Sequence, residues 1–387
     1  MNNDNKKIFI SYYLLNFFYC VHYWFIMIQF PPYAKNAGLS DVQIGTILSL
    51  YNIISLIFML PFGIITDRLG ARNIIMTASV LILSWLGIVA FYTSFKMLII
   101  AFILGGIGTV LFLISLNAAF YSMLDFDKAQ KKVTFFYIAA TLGFMFGPFI
   151  GSNLLQFIGY SNTFKADMII ICIMMIIILN VSWPKNVEFN IFDYLKDFNK
   201  KSFILILLTF VFYSHYGTEQ TSYTLYMKDN VKLTDFQIGN VFIILGFWVS
   251  LVTLLTGKLS NTKYMILIYG SAVLISGFFQ FFTGYFKTFE TFIVMRLLHT
   301  CGDAVCSLML GILVTIVFNK NRLGFSFGFF LFAQLIASIP FTYVSKALSK
   351  TNDYSLPFYF NGAFMSFCAI LILLYRKKLR RILGMDK

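Results

Sequence analysis

The sequence predicts an all-α membrane protein, with twelve transmembrane helices in two pseudo-symmetric six-helix bundles. Three observations carry that expectation. Hydrophobic residues make up 59% of the 387 and charged residues only 12%, whereas soluble domains run roughly 45–50% apolar and about 25% charged. Twelve stretches approach or exceed the ~20 mostly apolar residues that cross a bilayer as a helix. A segment that opens the second stretch recurs where the eighth opens.

In order, the stretches run approximately over 8–30, 42–65, 73–93, 97–121, 133–157, 164–183, 203–227, 235–257, 264–283, 289–317, 323–345 and 355–375. The first follows MNNDNKK. It is too long for a signal-peptide core and lacks a small-residue cleavage site, so it is expected to persist as a helix. The second opens at GLSDVQIG (38–45) and the eighth at KLTDFQIG (232–239), an offset of 194 residues. In each, Ser40 or Thr234 can cap the helix, with Gln43 or Gln237 three residues later as in a capping box. The same offset carries Gly63 onto Gly257 at the far ends of those helices. Duplication explains this better than chance convergence. It divides the chain into a bundle over 1–183, a linker over 184–202 with an amphipathic pattern in FDYLKDF, and a bundle over 203–387 ending in a short basic tail.

The net charge of +14 raises the question of nucleic acid, and its placement answers it. With the N-terminus inside and loops assigned alternately, the inner segments hold 21 of the 30 basic residues and the outer ones 8, Arg296 being the remainder. An inward excess of Lys and Arg is the orientation signal of membrane proteins. Both termini and the linker are therefore expected to be cytoplasmic, and the positive charge reflects topology rather than nucleic-acid binding. Cys20, Cys172, Cys301, Cys306 and Cys368 all fall in the apolar stretches. No CxxC or Cys/His spacing of a zinc site accompanies them, so no metal and no cofactor is expected.

The turn after the second stretch reads GIITDRLGARN. It resembles the signature of the major facilitator superfamily, G-x-x-x-D-R-x-G-R/x-R/K, with Gly63, Asp67, Arg68, Gly70 and Arg72 in register. The resemblance implies gradient-driven transport by alternating access. It also implies a cavity lined by the first, fourth, seventh and tenth helices, and a partner for Asp67 at the start of the eleventh, near Leu323. In the fifth stretch GFMFGPFIG, with Gly143, Gly147, Pro148 and Gly151, resembles a motif of drug and metabolite antiporters, although Ser152 replaces its last glycine. Many family members carry an arginine in the fourth helix where this chain has Phe102. The 194-residue offset carries that position to Arg296 in the tenth stretch, which counts against the antiporter reading.

A few ionisable groups lie deep in apolar stretches: His22 in the first, His215 and Glu219 in the seventh, and Arg296, His299 and Asp303 in the tenth. The resemblance makes all of these cavity helices. A lipid-facing charge at the bilayer centre costs at least ~2.5–3.5 kcal/mol, so these residues are expected to face one another or water. His215 and Glu219 are four apart and share a helix face, as do His299 and Asp303, with Arg296 one turn outward. Proton relay with solute contact is one reading, and an interhelical salt bridge that only fixes packing is the other. The tenth stretch resembles the basic-x-x-His-x-x-acid pattern of lactose-permease-like symporters, with the acid one residue later. Tyr19, Tyr23, Trp24, Tyr213, Tyr216 and Tyr223 suit a site that stacks on rings and hydrogen-bonds polar groups.

Together these features point to a proton-coupled secondary transporter of a small polar or anionic organic solute in the cytoplasmic membrane. Its partners are the solute, protons and membrane lipid, without nucleic acid, and it is expected to work as a monomer. The seventh- and tenth-stretch charges favour symport, the fifth-stretch motif favours efflux by proton antiport, and a transport-inactive sensor or assembly partner is the third reading. No Gly-rich phosphate loop points to ATP, and no nucleophile elbow points to an enzyme.

Overall fold

A computed structural model describes residues 3–124, 129–184, 194, 196–257, 264–319, 322–349 and 353–385. Most of the expected linker (185–193 and 195) lies outside them, as do Lys128, Lys185, Lys258, Lys263, Lys320, Lys350 and Lys387. The described chain is helical throughout: α1 Asn3–Asn36, α2 Asp41–Leu69, α3 Ala71–Phe91, α4 Phe95–Ser122, α5 Ala129–Asn180, α6 Lys200–Leu225, α7 Asp235–Thr256, α8 Met265–Thr283, α9 Phe289–Val317, α10 Leu323–Leu348, α11 Ser355–Leu374 and α12 Arg376–Leu383. This is the twelve-span fold of a multi-pass membrane protein, with two differences in detail. The fifth and sixth expected spans run together as α5, bent where Gly159 leaves helical geometry at φ 71°. The basic tail is itself a short helix, α12. The seventh span is therefore α6 and the tenth is α9.

Among the described residues nine helices are long and apolar enough to cross a membrane, α5 being long enough for two crossings. The two other long helices, α1 and α6, fall short because polar side chains interrupt them. Both expected capping boxes are present. Ser40 Oγ accepts from Gln43 N–H at 3.3 Å while Gln43 Oε1 accepts from Ser40 N–H at 2.9 Å; Thr234 and Gln237 repeat this at 3.2 and 2.9 Å.

The chain divides into two compact units, Met1–Phe126 with Ala139–Tyr194 and Asn319–Phe329, and Asp127–Ile138 with Leu195–Phe318 and Phe330–Lys387. Each unit thus takes in a short segment from the other half of the sequence, and the repeat shows why. In the first unit a Cβ on Gly63 would stand 2.8 Å from Gly324 O and Phe325 Cα, so the end of α2 and the start of α10 meet backbone to backbone. In the second unit the equivalent Gly257 lies against Thr134 at the start of α5.

The repeat also copies a turn whose chemistry changed. Gly38 adopts φ 88°, free of cost for glycine, but its counterpart 194 residues on is Lys232 at φ 63°. A side chain in the left-handed region costs roughly 1–2 kcal/mol. Lys232→Gly should therefore stabilise the protein by up to about 1 kcal/mol once the freer unfolded glycine is counted. Thermal unfolding in detergent tests this, with Lys232→Ala as control; equal stabilisation by alanine would show that the lysine side chain, not its φ, is responsible.

Candidate functional site

Three helices of the second unit build a buried polar network. α6 supplies His215 and Glu219, α9 supplies Arg296, His299 and Asp303, and α8 adds Ser276 and Gln280. Arg296 Nη2 donates to Glu219 Oε1 at 2.6 Å and Nη1 to Gln280 Oε1 at 2.8 Å. The guanidinium also lies 4.4 Å from the Tyr223 ring centroid, so its charge meets a carboxylate, an amide and a π-face. His299 Nε2 stands 3.2 Å from Glu219 Oε1 and 3.0 Å from Asp303 Oδ2, and His215 Nε2 is 3.6 Å from that same Oδ2. Ser276 Oγ donates to Asp303 Oδ1 at 2.7 Å. Arg296, His215 and His299 are buried.

Hydrogen-bond accounting shows what this arrangement holds. His299 Nδ1 is 2.8 Å from the Ser276 carbonyl, and His215 Nδ1 faces the Phe212 carbonyl. A carbonyl only accepts, so each Nδ1 carries hydrogen, and a neutral ring then presents a bare lone pair at Nε2. In His299 that atom faces two carboxylate oxygens, which are also acceptors. A proton on His299 Nε2 or on one of the carboxylates would turn these acceptor–acceptor contacts into hydrogen bonds. With Arg296 it would also balance the two carboxylates. His215, Glu219 and His299 place ligand-type atoms within 4.8 Å of one another, but the fixed charge of Arg296 on Glu219 opposes a metal ion there.

His22 is elsewhere. In the first unit its Nδ1 lies 2.7 Å from Asp167 Oδ2, both side chains fully buried, and its ring meets Trp85 edge-on at 5.7 Å. Sequence reading missed Asp167, whose signal was a lone carboxylate inside the sixth apolar stretch. It also missed Ser276 and Gln280, two polar residues four apart on one face of α8. The 194-residue offset takes Asp167 to Asn361, which donates to Ser214 Oγ at 3.2 Å. The offset takes His22 to Tyr216, so of the two pairs only the Asp167 and Asn361 positions correspond.

Of the aromatic candidates, Tyr223 and Tyr216 adjoin the network, Tyr216 with its ring 4.2 Å from that of His215. Tyr213 stacks on Tyr216 at 5.1 Å. In the first unit Tyr19 stacks between Tyr23 and Phe112 at 6.1 and 4.7 Å, and Trp24 packs edge-on to Phe144. The glycines of the fifth-span motif are accounted for by packing: Gly143, Gly147 and Gly151 lie against α1 at Phe17 and Cys20, Val21 and Trp24, and Gln29. Pro148 sits within this helix.

The turn signature behaves as its resemblance implies. Asp67 Oδ1 accepts from Gly324 N–H at 2.7 Å and Oδ2 from Phe325 N–H at 2.9 Å, capping the start of α10. Arg68 and Arg72 are exposed, and Gly70 turns the chain between α2 and α3 at φ 84°.

The fold narrows the class to multi-pass membrane proteins, and the family narrows it to transporters. The chain belongs to the Major Facilitator Superfamily, whose family model matches residues 12–285. Among curated relatives, it is 28% identical over 139 residues to the candidate multidrug resistance protein MdtD of Klebsiella pneumoniae (strain 342), which covers 36% of this chain and 29% of that protein. It is 32% identical over 103 residues to the inner membrane protein YqcE of Escherichia coli (strain K12), covering 26% of this chain and 24% of the relative. These matches thus span under a third of either relative. Solved structures extend the fold over nearly the whole chain. The human organic anion transporter MFSD10 superposes with TM-score 0.78 at 12% identity over 95% of this chain and 99% of that one. The E. coli fucose:proton symporter FucP gives 0.76 at 12% identity over 96% and 98%.

Removing one partner of a buried ion pair strands the other, typically at about 3–5 kcal/mol. Arg296→Ala should destabilise the protein by that order, and adding Glu219→Gln should recover most of it. Thermal unfolding of the single and double variants measures the coupling; additive losses would mean the pair contributes no mutual stabilisation.

Proposed function

We propose that this chain is a proton-coupled secondary transporter of a small polar or anionic organic solute, working by alternating access in the cytoplasmic membrane. The supporting observation is the buried cluster in which His299 Nε2 stands 3.2 Å from Glu219 and 3.0 Å from Asp303. Arg296 holds Glu219 by charge. A solute anion that draws the guanidinium away leaves a buried carboxylate without compensation, and that state is relieved by proton uptake. His299, 3.2 Å from Glu219 and 3.0 Å from Asp303, is placed to pass that proton between the two acids. Symport is the direct consequence, because solute and proton then occupy the network together. The partial likeness to MdtD favours a second reading, in which the solute displaces the proton and is exported. The basic asymmetry supports an orientation with both termini and the 184–202 linker in the cytoplasm, and the proposed working unit is a monomer with residues 1–183 and 203–387 as its two bundles.

Proteoliposomes loaded with a pH-sensitive dye and offered a panel of small organic solutes report substrate, coupling and direction together. Glu219→Gln should retain solute exchange across the membrane while losing accumulation driven by a pH gradient. Wild-type accumulation by this variant would make Glu219 a packing residue.

Asp67 is held by two backbone N–H groups at the start of α10, in a contact that a conformational cycle has to break and remake. Asp67→Asn exchanges one acceptor oxygen for an amide that cannot accept. Turnover should fall at least tenfold while solute affinity, read by equilibrium binding, changes less than threefold, from a loss of about 1.5–3 kcal/mol per charge-assisted bond. Full turnover in the variant would show that this contact does not gate transport.

A further inference from the structure

The end of α11, the start of α6 and α12 frame a groove of about 360 Å³ away from the polar network. Its walls include Leu207, Val211, Leu371, Tyr375 and Ile382, and among its described lining residues Lys378 is the single charged one. Leu207 and Leu371 are exposed at 45% and 39%, so the walls are open to a ligand arriving from the surrounding membrane.

α12 carries the charge. Arg376, Lys377, Lys378, Arg380 and Arg381 are cationic, while Leu379, Ile382 and Leu383 lie three and four apart on one face. Leu383 and Met385 are buried. Gly384 closes the helix in the left-handed conformation, with its own N–H on Arg381 O at 3.2 Å and Met385 N–H on Arg380 O at 3.1 Å. The segment is thus a capped helix docked along its apolar side. Arg376 and Arg380 are turned back onto the carbonyls of Leu373 and Met385, whereas Lys377, Lys378 and Arg381 are exposed.

A neutral lipid would satisfy the apolar walls and leave the ammonium uncompensated, while a soluble anion would satisfy only the ammonium. A phospholipid with a net negative headgroup satisfies both. We propose that this groove binds one anionic phospholipid, with an acyl chain along Leu207, Val211 and Leu371 and its phosphate on Lys378. The other α12 cations supply the attracting field. Val211 is one turn from His215 on α6, so the bound lipid braces the helix that carries His215 and Glu219 of the polar network.

Native mass spectrometry of the purified full chain, mixed with phosphatidylglycerol and phosphatidylcholine, tests this. One phosphatidylglycerol should be retained in preference to phosphatidylcholine. Lys378→Gln should weaken that retention by about tenfold or more, as the loss of a charge-assisted hydrogen bond does. Leu207→Trp, which fills the groove without touching charge, should abolish the preference, and Lys377→Gln should cost no more than the roughly fivefold effect of one basic residue near a membrane surface. Val211→Trp replaces Leu207→Trp if that variant is not monodisperse. Equal losses from Lys377→Gln and Lys378→Gln, with no effect of filling the groove, would overturn the site in favour of diffuse attraction. Equal retention of both lipids, or a groove closed by a second copy of the chain, would overturn it as well.

Discussion

A guanidinium sealed among membrane helices must meet a carboxylate, and the interior of the second unit is organised around that requirement. Arg296 on α9 meets Glu219 on α6 at 2.6 Å, which sets the register of those two helices against each other. The remaining donors of the guanidinium call for further acceptors, so α8 turns Gln280 toward it and the Tyr223 ring covers its face. A second acid then has to be balanced. Asp303, one turn beyond His299, brings another negative charge, which a proton on His299 or on one of the two acids would balance. That ties the stability of the group to the event proposed for coupling.

The two halves of the chain share a plan but differ in charge. Capping boxes, the Gly63 and Gly257 contacts and the left-handed turns at Gly38 and Lys232 recur at one offset. The titratable network does not. At the position equivalent to Arg296, Phe102 is buried with ring centroids 4.1 Å from Phe30 and 5.1 Å from Trp85. Where the first unit pairs His22 with Asp167, the second uses Asn361 and Ser214. Duplication supplied a scaffold whose packing is kept on both sides, and among the described residues the second half alone carries a multi-acid site. Glycine serves that scaffold by letting backbones touch, as α5 does on α1 through Gly143 and Gly147.

By itself the sequence determined the spans, the duplication, the helix caps and most of the buried charges, Asp167 excepted. Those features follow from local chemistry: twenty apolar residues need a bilayer, Ser-x-x-Gln caps a helix, and an arginine in hydrocarbon needs a partner. Matched spacing on two stretches even pointed to Glu219 as that partner. Only the tertiary structure decided the rest. It placed His22 with Asp167 instead of with the other histidines, and it brought Ser276 and Gln280 into the network. It ran two spans together through Gly159 and folded the basic tail into a docked helix. It also put Nδ1 of His215 and of His299 against the carbonyls of Phe212 and Ser276, which leaves Nε2 of each facing the acids. The physical reason is common to all of these. Burial makes a polar atom need a partner, but which partner stands within about 3 Å is set by how helices distant in sequence pack side by side.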